Sequence, residues 1–316
     1  MINLRYHIVS LVAVFLALGL GIVMGSTVID RVTVDALNSN LDDVRRSVGT
    51  IRDENGRLQG QLKDQTEQSR DFAETTRDQL LSGHLRGVPV MIVAVAGIDR
   101  GPVDELRQAL VGAQATLQGT IWFTSKMRLV SDGDVRALAT ALDLPVDRPE
   151  VVRRQALARV ATAREAASTD TSPLAALQGA GFLTYEGPPP SSTTTSSTPP
   201  TLASLPLPNT RYLVVSGAGA DVGDDVVAVP LVQAYAQASG RVVAAESGED
   251  TDGGRAVFVG LLRGDVISSR LSTVDNLESP MGQTATVLAL EDLGVPRYGH
   301  YGVGPGAQRV VPAQTP

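Results

Sequence analysis

Imidazoles are the commonest movers of protons near neutral pH and frequent metal ligands, and this chain carries three of them, His7, His84 and His300. None stands in a nucleophile elbow or at metal-ligand spacing. His300 lies within Tyr298-Gly299-His300-Tyr301-Gly302, a glycine-rich loop in which a histidine is either a site or an ordinary hydrogen-bonded loop residue. Asp275 and Glu278 stand just ahead of Ser279-Pro280. Serine as cap and proline in the first turn predict a helix from there on, and capping and turn formation account for both carboxylates. The chain has no cysteine, which removes disulfides, thiolate metal sites and a cysteine nucleophile. Its five methionines, Met1, Met24, Met91, Met127 and Met281, form no cluster in sequence.

A second constellation comes after a predicted strand: Ser216-Gly217-Ala218-Gly219-Ala220-Asp221-Val222-Gly223, with Glu246 at the end of the next strand. The spacing echoes a dinucleotide-binding turn with an acid for the ribose. A phosphate site needs the helix N-terminus directly after the glycines. Here Asp224, Asp225 and Pro230 intervene and put negative charge where a pyrophosphate would sit. No cofactor is expected, and without a recognisable nucleophile or base the chain reads as a non-enzyme. Arginine and lysine total 27 against 34 aspartates and glutamates, a net charge of -7, so there is no basic field for nucleic acid.

The elements that must position these residues begin with an apolar helix. From Ile8 to Ile29 there are 22 residues without a charge, about 33 Å of helix, enough to cross a hydrocarbon core. The run is longer than the apolar region of a cleavable signal and ends in Val23-Met24-Gly25, a poor cleavage site. An uncleaved signal anchor over 1–29 is therefore expected. Arg5 and the α-amino group precede the run, whereas Asp30, Arg31 and Asp35 come after it, which predicts a cytoplasmic N-terminus and an exported remainder. Ala17, Gly21 and Gly25 recur every four residues and form the small face that lets two membrane helices approach closely.

Apolar residues then recur in alternating steps of three and four: Val34, Leu37, Leu41, Val44, Val48, Ile51, Asn55, Leu58 and Leu62, continuing more weakly to Gln79. This 3.5-residue repeat is the seam of a left-handed coiled coil, with Val34 and Val48 at a and Leu37 and Leu58 at d. No proline precedes Pro89, so nothing of that kind breaks the helix. Asn55, polar at an a position, fixes register and partner number. The expectation is a coiled-coil stalk over 30–83 that makes a parallel homodimer; the rival is an amphipathic helix folded against its own head.

Beyond the stalk, Val88-Pro-Val-Met-Ile-Val-Ala-Val-Ala96 is an apolar run bounded by glycines, the pattern of a strand buried on both faces. A helix over Pro102 to Val111, a strand over Thr116 to Thr124 and helices near Asp134 to Leu142 and Pro149 to Ala167 come next. A second unit runs through Arg211 to Ser216, a helix near Pro230 to Ala238, Arg241 to Ala245, and Ala256 to Leu262. The fold class expected is a Rossmann-like α/β head on a mainly parallel sheet, in halves 84–186 and 209–316. The Ser/Thr/Pro segment 187–208 between them is expected to be disordered. It is either a plain linker or a glycosylated, mucin-like stretch.

The opening Met1-Ile2-Asn3-Leu4-Arg5-Tyr6-His7-Ile8-Val9-Ser10, the segment Ser272-Thr273-Val274-Asp275-Asn276 to Gly282, and Gly299-His300-Tyr301-Gly302 with Gly306-Ala307 and Val310-Val311-Pro312 together resemble the actinobacterial copper transport protein B family. The likeness implies an envelope protein of actinobacteria linked to copper homeostasis or efflux. Copper is implied by the resemblance alone, and the chemistry of the chain supports it thinly: copper(I) prefers sulfur ligands and copper(II) imidazole. His300 and Met281, brought together by folding, are the candidate metal ligands. Some relatives are associated instead with septation and daughter-cell separation. The competing reading is accordingly a non-catalytic scaffold that recruits an envelope or divisome partner.

Overall fold

A computed structural model describes residues 4–163, 172–189, 201–248 and 257–313; the side chains of 4, 26–39, 66, 68–79 and 257 lie outside the description. The chain separates into two units, Met1–Ser69 and Arg70–Pro316.

The first unit consists of the part of helix α1 up to Ser69; α1 as a whole runs from Leu4 to Leu81. Its residues Arg5–Gly25 make a helix long and apolar enough to cross a membrane, with none of that stretch buried. Farther along, Arg45 pairs with Asp42 at 3.3 Å, Arg46 with Asp43 at 2.7 Å and Lys63 with Glu67 at 3.8 Å. Each such exposed pair adds a few tenths of a kcal/mol to the helix. Gly49, Gly56 and Gly60 have open space where a Cβ would stand.

In the second unit, runs of β-branched residues that alternate between two apolar faces build a seven-stranded sheet. Its strands are β1 (Pro89–Val95), β2 (Thr116–Phe123), β3 (Leu183–Glu186), β4 (Arg211–Gly217), β5 (Val242–Ser247), β6 (Ser272–Val274) and β7 (His300–Tyr301). They lie in the order β3-β2-β1-β4-β5-β6-β7. Every pairing is parallel except that of β3 with β2. The two halves of the head thus share one sheet, joined where Ile92 of β1 pairs with Leu213 of β4.

Helices cover both faces. On one, Met91, Phe123 and Val214 pack under α3 (Asp132–Ala141), α4 (Pro149–Ala161), α5 (Pro173–Gly179), α6 (Ala228–Ala238) and α7 (Val257–Arg263). On the other, Ile92, Trp122 and Val243 pack with α2 (Gly101–Gly112), α8 (Pro280–Asp292), Leu81 and Leu85. Full burial of each large apolar side chain is worth about 1.5–3 kcal/mol.

Four details depart from the sequence reading. Strand β3 was not expected; its antiparallel edge is held by Tyr185, whose hydroxyl donates to the Gln118 carbonyl at 2.6 Å. The helix expected over Pro149–Ala167 ends at Ala161, with Thr162 as its C-cap; residues 164–167 lie outside the description. The segment 201–208 does bury apolar surface despite its prolines. Leu202 and Leu205 are 3% and 6% exposed, because a short 3-10 turn at Leu202–Ser204 turns both leucines inward. The buried Gln118 side chain secures the chain from Leu207 to Thr210, accepting from Leu207 N at 2.9 Å and donating to Thr210 Oγ1 at 2.6 Å. Finally, Tyr298–Gly302 is not loop alone, since His300 and Tyr301 form the edge strand β7.

Candidate functional site

The residues singled out near the C-terminus converge where α7, β6, β7 and the loop into α8 meet. Arg263 ends α7, and its side chain is 7% exposed. Its Nη1 lies 2.6 Å from Asp275 Oδ2, a carboxylate only 1% exposed. The remaining donors are also used: Nε to Thr273 Oγ1 at 3.0 Å, Nη1 to the Pro305 carbonyl at 2.9 Å and Nη2 to the Tyr301 carbonyl at 2.7 Å. Asp275 in turn accepts from Val303 N at 2.8 Å and Gly304 N at 3.0 Å. A buried ion pair survives only when its spare donors and acceptors are satisfied this fully.

Thr273 Oγ1 lies 3.0 Å from His300 Nδ1. Because that hydroxyl accepts from Arg263, it has its own proton to offer the ring. Burial, and then the charge of Arg263, hold the His300 pKa below the ordinary value, which favours the neutral ring. The motif glycines are close-approach positions. A Cβ at Gly282 would overlap the Asn276 carbonyl and one at Gly302, where φ is +122°, the Asp275 carboxylate. Ser279 caps α8 as expected, accepting from Gly282 N at 3.0 Å. Asn276 supports the same turn, donating to Ser279 Oγ at 2.9 Å. Tyr301 is buried, and burial and Asp292 raise its pKa.

Thr273, Asp275, Asn276, Gly282, Gly299, His300, Tyr301 and Gly302 are therefore brought together as a clasp that fastens the C-terminal segment to the sheet edge. For Asp275 this corrects the reading as a turn or cap residue: it is the buried partner of Arg263. No motif marked Arg263 beyond its place just after an apolar helix. Glu278 is a turn ligand, accepting from Gly248 N at 3.3 Å.

Met281 sits in the first turn of α8 and is 56% exposed. Among the described residues no three histidine, aspartate or glutamate side chains are grouped to hold a metal ion. His7 is exposed on α1, and His84 Nδ1 lies 2.7 Å from Glu291 Oε2.

The glycine turn after β4 is tied to its neighbours by contacts to its backbone. Asp221 N donates to the Ala96 carbonyl at 2.7 Å, and Arg128 donates to the Asp221 carbonyl. These contacts draw the turns after β1 and β4 together at the switch point where Rossmann folds bind ligands. Glu246 faces α7, accepting from Phe258 N at 3.2 Å and Val259 N at 3.0 Å. Asp224 accepts from Ser216 Oγ; burial raises its pKa against that bond.

On α1, Ala17, Gly21 and Gly25 lie in the exposed apolar stretch, and both glycines have open space around them. Leu41, Val44, Val48, Ile51, Asn55, Leu58 and Leu62 are exposed. The side chains of Val34 and Leu37 lie outside the described residues.

A family model described as "Copper transport outer membrane protein, MctB" matches residues 1–312. Curated proteins of Mycobacterium tuberculosis and Mycobacterium bovis, each named "Copper transporter MctB", are 27% identical over 336 residues, covering 99% of this chain and 100% of theirs. The Mycobacterium leprae protein of that name is 25% identical over 340 residues, with 99% and 100% covered. Since the match runs from the apolar helix through the C-terminal clasp, the chain belongs to the MctB family.

Proposed function

We propose that this protein is anchored in the cell membrane by α1, carries its bulk on the extracytoplasmic side and serves copper homeostasis without catalysing a reaction. The family match over residues 1–312 carries the reading, because relatives covered end to end are named copper transporters. Two features support the placement. The stretch Arg5–Gly25 is not buried within the chain, and the positive charge of Arg5 ahead of the apolar run favours a cytoplasmic N-terminus.

The family's description speaks of an outer membrane, and spanning structures are either helices or closed barrels. The sheet here begins at β3 and ends at β7 without closing on itself, and among the described residues α1 offers one span. A route for copper therefore belongs to an assembly or a partner, with copper as cargo. The thioethers of the head agree with this. Met91 and Met127 are core residues at 0% exposure, which leaves the exposed Met281 and the half-buried His300 as weak ligands.

Disruption of the gene should lower the copper concentration that stops growth. The full chain should restore tolerance, whereas a variant lacking Arg5–Gly25 should not. A disrupted strain with unchanged copper tolerance would overturn the role. A reporter that works only outside the cytoplasm, fused after Pro316, should be active. Calorimetry on the full chain should find weak copper binding at most; a tight stoichiometric site lost in His300→Ala would make the head itself the carrier.

A further inference from the structure

We propose that the stretch of α1 from Leu41 to Leu62 is the interface for a second copy of this chain, aligned in parallel and in register. Leu41, Val44, Val48, Ile51 and Leu58 are 45–58% exposed on α1, an apolar stripe of period 3.5 that water would otherwise cover. Asp42 with Arg45, Asp43 with Arg46 and Lys63 with Glu67 pair along α1 itself, and the space-poor seam positions carry none of Gly49, Gly56 and Gly60.

A second copy fits this stripe better than another occupant does, because the one polar seam residue suits only its own image. In a parallel pair Asn55 meets Asn55, and each amide both donates and accepts. Glu54 at a g position then faces Gln59 at e of the partner helix, and no like charges oppose. An antiparallel pair centred on the same stripe sets Arg45 near Arg52 and leaves Asn55 against Val44, a buried amide without a partner. Anchoring of both chains by the same end selects the parallel sense; for that sense alone the inference rests on the proposed anchoring.

The cysteine-free chain allows a direct test with the full-length protein in isolated membranes under mild oxidant. Single variants Asn55→Cys and Ile51→Cys should each convert most of the chain to a disulfide-linked dimer, since facing seam positions lie within disulfide reach. Arg46→Cys, on the outer face, should convert little. Either seam variant suffices if the other fails to accumulate. Monomer at both seam positions, or equal conversion at position 46, would overturn the interface. A cross-link between Val44→Cys on one chain and Asn55→Cys on another would overturn the parallel sense. Added oxidant reaches either side of opened membranes, so the result stands or falls apart from which side the head occupies.

Discussion

Apolar side chains meet opposite fates in the two units. Leu106, Leu110 and Phe258 in the head are at 0% exposure, whereas Leu11, Phe15 and Leu18 near the start of α1 are 58–65% exposed and Val44 and Ile51 57–58%. The head completes its own burial. The helix does not, and the two kinds of sequence on it call for two kinds of cover. The uninterrupted run at Arg5–Gly25 suits hydrocarbon on every side, while the narrow stripe beyond it suits one protein neighbour.

The sharpest way to break the head's self-sufficiency is at its clasp. Arg263→Met leaves Asp275 at 1% exposure without its cation, and uncovering one member of a buried pair costs about 3–5 kcal/mol. Thermal unfolding of the full chain should show the head melting much earlier, with the helical signal of α1 retained. Arg263→Met with Asp275→Leu should cost less than the single change.

A smaller contrast separates the units by the same chemistry. Leu110→Ala removes a fully buried side chain and should cost the head about 2–5 kcal/mol. Leu58→Ala, at a position 50% exposed on α1, should leave the head's unfolding midpoint unchanged while weakening dimer formation. Equal effects of the two on the head would show that the stripe packs on the head after all.

The smallest effect is a pH dependence. The folded-state pKa of His300 lies below its ordinary 6.5, so the unfolded chain takes up a proton there before the folded one does. Stability contributed by the neutral ring is fully present above about 6.5 and is lost as pH falls from that value through the lower folded one. His300→Gln should flatten that part of the head's stability profile; an unchanged slope would remove His300 from the account.

How much of this was legible in the sequence depends on how local each signal is. The cores of β1, β2, β4 and β5 showed as apolar runs, and Ser279-Pro280 marked the start of α8, because burial and capping act within a few residues. Strands β6 and β7, three and two residues long, are too short for any periodicity and exist through edge pairing and the clasp. Arg263 and Asp275 are twelve residues apart, and nothing in either neighbourhood names the other. Glu246 matched a ribose acid in spacing, yet its carboxylate caps the α7 amides. The leucines at 202 and 205 were hidden by the prolines around them.

Single cysteines along α1, labelled by a membrane-impermeant maleimide on spheroplasts, test most directly the claim that bilayer and second copy cover what the head does not. Phe15→Cys should resist labelling, Arg46→Cys should label readily from outside, and Ile51→Cys should label far more slowly than Arg46→Cys. Equal rates at 46 and 51 would contradict the seam, and labelling of 46 only after lysis would contradict the extracytoplasmic placement.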